Sequence, residues 1–231
     1  MIINQSNSFS HVIENLQSIN AEIESAKKKA GRKDEVRLMA VTKTVAPELI
    51  NVAVDNGVNL LGENRVQEYL SKYESYKPCE VHFIGHLQTN KVKYIVDKVT
   101  MIESVDSLHL AEVIDKECEK AGKQMDVLLE INSGNEISKS GFDFSNVEEN
   151  MLEIAKLKNV HIQGLMTIPP TDSPEIFFAK MQSLYIDIAS KKIDNINMKW
   201  LSMGMSHDFA TAIQYGANIV RIGTKLFGVR K

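Results

Sequence analysis

Short apolar runs alternate with amphipathic helical stretches eight times from Val36 to the end of the chain, and this restricts the fold more than any other feature. The runs occupy 38–41, 60–61, 81–84, 101–102, 127–131, 162–165, 200–201 and 219–222, with those at 60–61, 101–102 and 200–201 the shortest. Strands separated by helices imply a parallel sheet, because each crossover must return the chain to the same end. Eight such units in about 190 residues fit a closed (β/α)8 barrel of the TIM type. An open doubly wound sheet is the alternative. It calls for a glycine-rich turn after the first strand, and the stretch AVTKTVAPE has none.

One helix precedes the alternation. Phe9, Val12, Ile13, Leu16, Ile19, Ile23 and Ala26 recur at three- and four-residue steps and form one apolar stripe. Asn7 or Ser8 is placed to cap its start and Gly31 to end it, so the helix is expected over about 8–30 and the barrel over about 36–231, in a single domain. Between the strands, Pro47 suits a first helical turn that ends near Gly57. Thr89 is placed to cap a helix over 90–98, and Ser107 one over 108–121. Ser145 with Glu148 has the capping-box spacing. Ser173-Pro174 opens the helix carrying Phe177, Phe178 and Met181, and Ser206 opens one that ends near Gly216.

A formal charge of −3, with basic and acidic residues interspersed, leaves no nucleic-acid footprint. Cys79 and Cys118 stand apart and outside any CxxC pattern, which fits a reducing compartment. The N-terminal stretch has neither the basic nor the apolar region of a leader, and no run of roughly 18 apolar residues is present. A cytoplasmic protein without membrane contact is expected. No His, Cys, Asp and Glu grouping has metal-ligand spacing, and no GxSxG, HExxH or Walker motif occurs.

In a barrel of this type, chemistry gathers where strands end. The first strand ends in Thr42-Lys43-Thr44. An amine at the barrel mouth is partly desolvated, which favours its neutral form, and the neutral amine attacks aldehydes to give imines. A strand-end lysine reaching solvent is the competing reading. After the seventh strand, Ser202-Met203-Gly204-Met205-Ser206 leads into a helix. Gly204 permits close approach of an anion, and Ser206 adds a hydroxyl. Gly223-Thr224 after the eighth strand supplies further amides and a second hydroxyl, and these two loops are neighbours in a closed barrel. Arg221 points opposite to Val220 and Ile222. It is either one half of a buried ion pair or a donor to an acceptor nitrogen on a bound ring. His82 and His86 read as structural hydrogen-bonding residues, and Lys139 in Ser138-Lys139-Ser140-Gly141 as a solvent or local structural contact.

Taken together, the strand exits resemble one family closely. The matching pieces are Ala40-Val41-Thr42-Lys43, Gly62-Glu63-Asn64 with Val66-Gln67-Glu68, and His82-Phe83-Ile84-Gly85-His86-Leu87-Gln88 with Asn90-Lys91. Ser138-Lys139-Ser140-Gly141, Gly164-Leu165-Met166, Leu201 to Ser206 with Asp208, and Val220 to Thr224 with Phe227-Gly228 complete the set. The resemblance is to the pyridoxal phosphate homeostasis proteins, single-domain relatives of the alanine racemase N-terminal barrel. It implies an α/β (β/α)8 barrel with an extra N-terminal helix and pyridoxal 5′-phosphate as cofactor. By this likeness Lys43 is the Schiff-base lysine, Ser206, Gly223 and Thr224 hold the phosphate, Arg221 faces the pyridine nitrogen, and Asn64 and Met203 line the cofactor face. The chain departs from the common pattern at Val81, where an aromatic residue often stands, at Arg65 and at His207.

An arginine beside the pyridine nitrogen opposes its protonation and makes the ring a weaker electron sink. The resembling racemases take a second base, a tyrosine, from a further β-domain, and Lys231 follows too soon after Phe227-Gly228 for one to be expected. The expectation is therefore a carrier rather than an enzyme. It buffers or delivers the cofactor, with apo forms of cofactor-dependent enzymes as recipients, and is a monomer. A weak amino-acid racemase and a Schiff-base aldolase are the alternatives.

Overall fold

The computed structural model describes residues 9–134, 136 and 140–228. Eight strands, β1 (Arg37–Val41), β2 (Leu60–Glu63), β3 (Glu80–Phe83), β4 (Met101–Val105), β5 (Met125–Glu130), β6 (Val160–Met166), β7 (Ile196–Ser202) and β8 (Ile219–Ile222), pair in sequence order. All pairings are parallel, and β8 returns to β1 with Met39 opposite Arg221 and Ala40 opposite Ile222. The sheet is thus a closed barrel, and the open-sheet alternative falls.

Alternation along each strand separates two cores. Met39, Val41, Leu60, Ile84, Met101, Leu128, Met166, Trp200 and Ile219 fill the barrel. Their neighbours in sequence, such as Leu61, Phe83, Val127 and Val220, face outward into a second core against the helices. Those helices are α1 (Ser10–Lys29), α2 (Pro47–Asp55), α3 (Val66–Lys72), α4 (Leu108–Ala121), α5 (Val147–Ile154), α6 (Pro174–Lys191), α7 (Phe209–Gln214) and α8 (Thr224–Phe227). None of the described helices is long and apolar enough to cross a membrane.

The expected stripe of α1 is buried at Val12, Leu16, Ile19, Ile23 and Ala26. The helix ends as anticipated at Gly31, whose φ of +65° lets Arg32 N–H reach the Lys27 carbonyl at 3.0 Å. Asn7 and Ser8, the expected caps, lie outside the described residues. Asn15 then donates to the Leu226 carbonyl at 3.0 Å, and Arg32 donates to the carbonyls of Ile213 and Ala217 at 2.7 and 2.8 Å. These bonds tie α1 to the last two helices.

Pro47 and Pro174 occupy first turns, and Ser107 Oγ accepts the Leu110 N–H at 3.3 Å, all as the local rules require. Three expectations give way. Residues 90–98 form no α-helix; a 3-10 helix, Thr89–Tyr94, is followed by turns. Val92, Ile95, Val96 and Val99 there are all buried, and these β-branched residues favour packing over an extended helix. Ser145 caps nothing, because the turn into α5 is closed earlier, by the Asp143 carbonyl accepting from Asn146 and Val147 N–H. The helix after Ser206 begins only at Phe209.

Candidate functional site

A cavity of about 240 Å³ opens at the carboxyl ends of the strands. Lys43, Asn64, Ser206, Arg221, Gly223 and Thr224 line it together, although they come from four separate strand exits. Val41, Ile84, Ile168 and Met205 provide apolar wall, and His207 adds a ring. Met203 is a correction: it is fully buried in the outer core between barrel and helices and is not part of the wall. The period of two explains this. Ser202 points inward beside Glu103, so Met203 points out, and Met205 takes the place expected for it.

The two final loops meet, as barrel closure demands. Lys225 N–H donates to Ser206 Oγ at 3.3 Å, which joins the β7 exit to the first turn of α8. Arg221 N–H donates to the Gly204 carbonyl at 3.0 Å. Gly204 has φ +93°, and a Cβ there would stand 2.6 Å from Ala212 Cβ and 2.9 Å from Phe209 Cα. The packing of α7 is therefore enough to require a glycine there. Asp208 Oδ1 accepts from Met205 N–H at 2.6 Å and fixes the turn that presents Ser206.

Arg221 is 3% exposed and faces the barrel interior. Its Nη1 donates to Ser202 O and Oγ at 2.8 and 2.7 Å, and Nη2 donates to Thr167 O at 2.6 Å. Ser202 Oγ in turn donates to Glu103 Oε2 at 2.6 Å, and Glu103 Oε1 lies 2.7 Å from His82 Nδ1. In place of a direct ion pair, one of the two readings of this arginine, there is a relay. The guanidinium binds oxygens of neutral groups, and its nearest charged support arrives through a hydroxyl. Burial lowers the Arg221 pKa from its ordinary value, opposed by the carboxylates of Glu103, Glu130 and Asp208. These bonds use three of the five N–H donors; among the described residues Nε–H and the second Nη2–H make none, so this cavity-lining side chain has donors to offer a guest.

Glu130 shares the inward face of β5 with Leu128. Burial first and the Asp106 carboxylate second push its pKa up to about 7, against the pull of Arg221. Glu103 and Glu130 were both missed in the sequence, yet each carried the signal that singled out Arg221: a charged residue within an apolar strand. Asn64 Oδ1 is buried and has no partner among the described residues. Its loop is pressed against the next one, since a Cβ at Gly85 would lie 2.0 Å from the Asn64 carbonyl oxygen. His82 has the structural role expected of it, in contact with Glu103. The side chain of His86 is 64% exposed beside Asp106 at 3.2 Å. Ser138 and Lys139 lie outside the described residues. Among those described, no group of three or more His, Cys, Asp or Glu could hold a metal.

A barrel with a lysine after its first strand and an anion-ready pair of loops after its last two defines a class. The family model described as alanine racemase, N-terminal domain, matches residues 15–231. A pyridoxal phosphate homeostasis protein of Aquifex aeolicus is 44% identical over 225 residues, covering 94% of this chain and 98% of that one. An unknown protein from Bifidobacterium adolescentis superposes with a TM-score of 0.91 at 33% identity, over 98% of both chains. PipY of Synechococcus elongatus, solved with PLP bound, gives a TM-score of 0.81 at 29% identity over 94% of this chain and 100% of that one. The chain belongs to the alanine racemase N-terminal domain family and, within it, to the pyridoxal phosphate homeostasis proteins.

Proposed function

We propose that the protein binds pyridoxal 5′-phosphate in this cavity, as a Schiff base on Lys43, and buffers or delivers it within the cytoplasm. One observation carries the reading: an amine, a guanidinium and the two final loops converge on a single cavity. The donor set fits the group. A phosphate suits the hydroxyls of Ser206 and Thr224, which line the cavity beside Gly223. An acceptor ring nitrogen suits an unused Arg221 donor, and a phenolic or amine hydrogen suits the orphaned Asn64 Oδ1. When bound, the cofactor supplies an aldehyde that exchanges reversibly between amines.

The chain's own residues favour holding over turnover. Arg221, fixed by Ser202 and Thr167, keeps a positive charge where a proton on the ring nitrogen would have to sit. Among the cavity-lining residues Lys43 would serve as a base on one face, the lining holds no tyrosine for the other, and His207 is its one imidazole. Family naming as homeostasis proteins agrees with a carrier. The proposed recipients are apo enzymes that use the same cofactor, and the proposed state is a monomer.

Incubation with the cofactor is expected to give an absorbance band near roughly 420 nm, and borohydride to fix the adduct on Lys43. Lys43→Ala should remove both. A protein that stays colourless overturns the proposal. Brisk α-proton exchange into deuterated water over a panel of amino acids, lost in Lys43→Ala, would favour the racemase. Trapping with a sugar phosphate and no visible band would favour the aldolase.

A further inference from the structure

Among the described residues, the turn that carries Lys43 is braced by side chains of α3. It follows β1 as Thr42-Lys43-Thr44-Val45 and is closed by Val45 N–H donating to the Thr42 carbonyl at 3.0 Å. Thr44 has φ +60°, a left-handed conformation that a β-branched residue rarely adopts unless its surroundings impose it. Those surroundings belong to α3. Lys72, only 8% exposed, donates from Nζ to Thr42 O at 2.9 Å, to Val45 O at 3.3 Å and to Glu68 Oε1 at 2.8 Å. These three bonds use all three protons of the ammonium. Glu68 Oε1 also accepts the Thr44 N–H at 2.5 Å. Burial raises the Glu68 pKa, but Lys72 and the Thr44 amide outweigh it and hold the carboxyl below its ordinary value.

A second carboxyl stands behind the first. Glu63, fully buried, accepts from Thr42 Oγ1 at 2.7 Å and from Tyr76 OH at 2.5 Å, and lies 3.8 Å from Lys72 Nζ. The carbonyl before Lys43 and the amide and carbonyl after it are therefore all tied to one buried ammonium and its carboxylate. The lysine's own side chain goes the other way, into the cavity wall.

We propose that Lys72 and Glu68, backed by Glu63, are positioning residues that hold the Lys43 turn in its strained form so that the amine meets the aldehyde. This rests on the reading under Proposed function. The step served is a condensation. The Lys43 nitrogen lone pair attacks the aldehyde carbon, a C=N bond replaces C=O, and the oxygen leaves as water with the amine's two protons. Pre-set geometry raises the rate of such a step without adding any contact to the phosphate end. A bracket that merely stabilised the fold would affect both ends alike.

The experiment compares two probes on the full chain: pyridoxal 5′-phosphate with borohydride trapping at Lys43, and pyridoxine 5′-phosphate, whose alcohol cannot condense. In Lys72→Met and Glu68→Ala, the rate of trapped adduct should fall at least about tenfold, while affinity for the alcohol stays within about twofold. Glu68→Gln, which keeps an acceptor for the Thr44 amide, should recover part of the rate. Thermal melts identify any variant that fails to fold, and the partly exposed Glu68 carries the test should Lys72→Met do so. Wild-type trapping rates in folded variants overturn the inference, as does an equal loss for both probes. Absence of any adduct in the wild-type protein overturns instead the function on which it rests.

Discussion

The two flanks of the cavity are built on opposite plans. On the Lys43 side a turn with a left-handed threonine is braced by charges: a buried ammonium, one exposed-side carboxylate and one buried carboxyl. On the Arg221 side a guanidinium sits on carbonyls and a hydroxyl of β6 and β7, and its carboxylate support stands one residue further off. Under the proposed function the lysine forms and breaks a bond, and its support is ionic and includes a strained turn. The arginine has only to stay in place, and its support is short, neutral and continuous. A site that captures and releases a guest needs one part that responds and one that does not.

The contrast breaks most readily at Arg221. Arg221→Met takes the guanidinium donors from the Thr167 carbonyl and from Ser202, whose own carbonyl keeps the Thr167 N–H at 3.1 Å, and leaves Glu103 without that compensating charge, a loss of roughly 3–5 kcal/mol. Urea unfolding measures it, and a cost below about 1 kcal/mol would show that the arginine flank is not rigid in the sense argued. Glu130→Gln sharpens the same flank through pH. The native pKa of about 7 lies above the ordinary 4.5, so the folded protein holds the proton longer than the unfolded chain. That contribution is fully present below about 4.5 and is lost as pH rises towards 7, at up to about 1.4 kcal/mol per pH unit. Relative to the wild type, Glu130→Gln should flatten the stability profile across that window. An unchanged slope would place the titration elsewhere. Ser206→Ala and Thr224→Ala should each weaken the grip on pyridoxine 5′-phosphate by roughly 1–3 kcal/mol, with little effect on melting. Unaltered affinity in the double variant would mean that the phosphate sits elsewhere. The smallest effect is expected at a helix start that does not line the cavity. Ser107→Ala removes one helix cap at a cost of about 1 kcal/mol and should leave both probes' binding untouched.

Much of this architecture is written locally. Val41, Lys43 and Thr44, or Val220, Arg221 and Ile222, reveal strand, exit and inward face through alternation alone, and so the barrel and five members of its wall are legible. Asn64 came by likeness, not by pattern. What escaped depends on partners distant in sequence. β4 looked like two residues because Glu103 and Ser104 interrupt its apolar run, and only the closed barrel shows why both are tolerated: they bond to Ser202 and to the Gly85 carbonyl. Lys72 carries no signal of its own in the sequence. Its role exists only once α3 packs behind the β1 turn, which no periodicity within 66–72 announces. Met203 was misplaced for a simpler reason, that the likeness overrode the alternation already visible around Ser202.

The bonds from α1 to the far end of the chain have a consequence for synthesis. Asn15 meets its acceptor in Leu226, 211 residues later, and Arg32 meets Ile213 and Ala217 after 181 and 185. An apolar stripe synthesised before the barrel therefore lacks its α7 and α8 partners until those helices have been made. Docking of α1 becomes a latch that engages last and rewards a complete ring, and a nascent chain truncated before α7 would carry that stripe into the hands of chaperones and proteases.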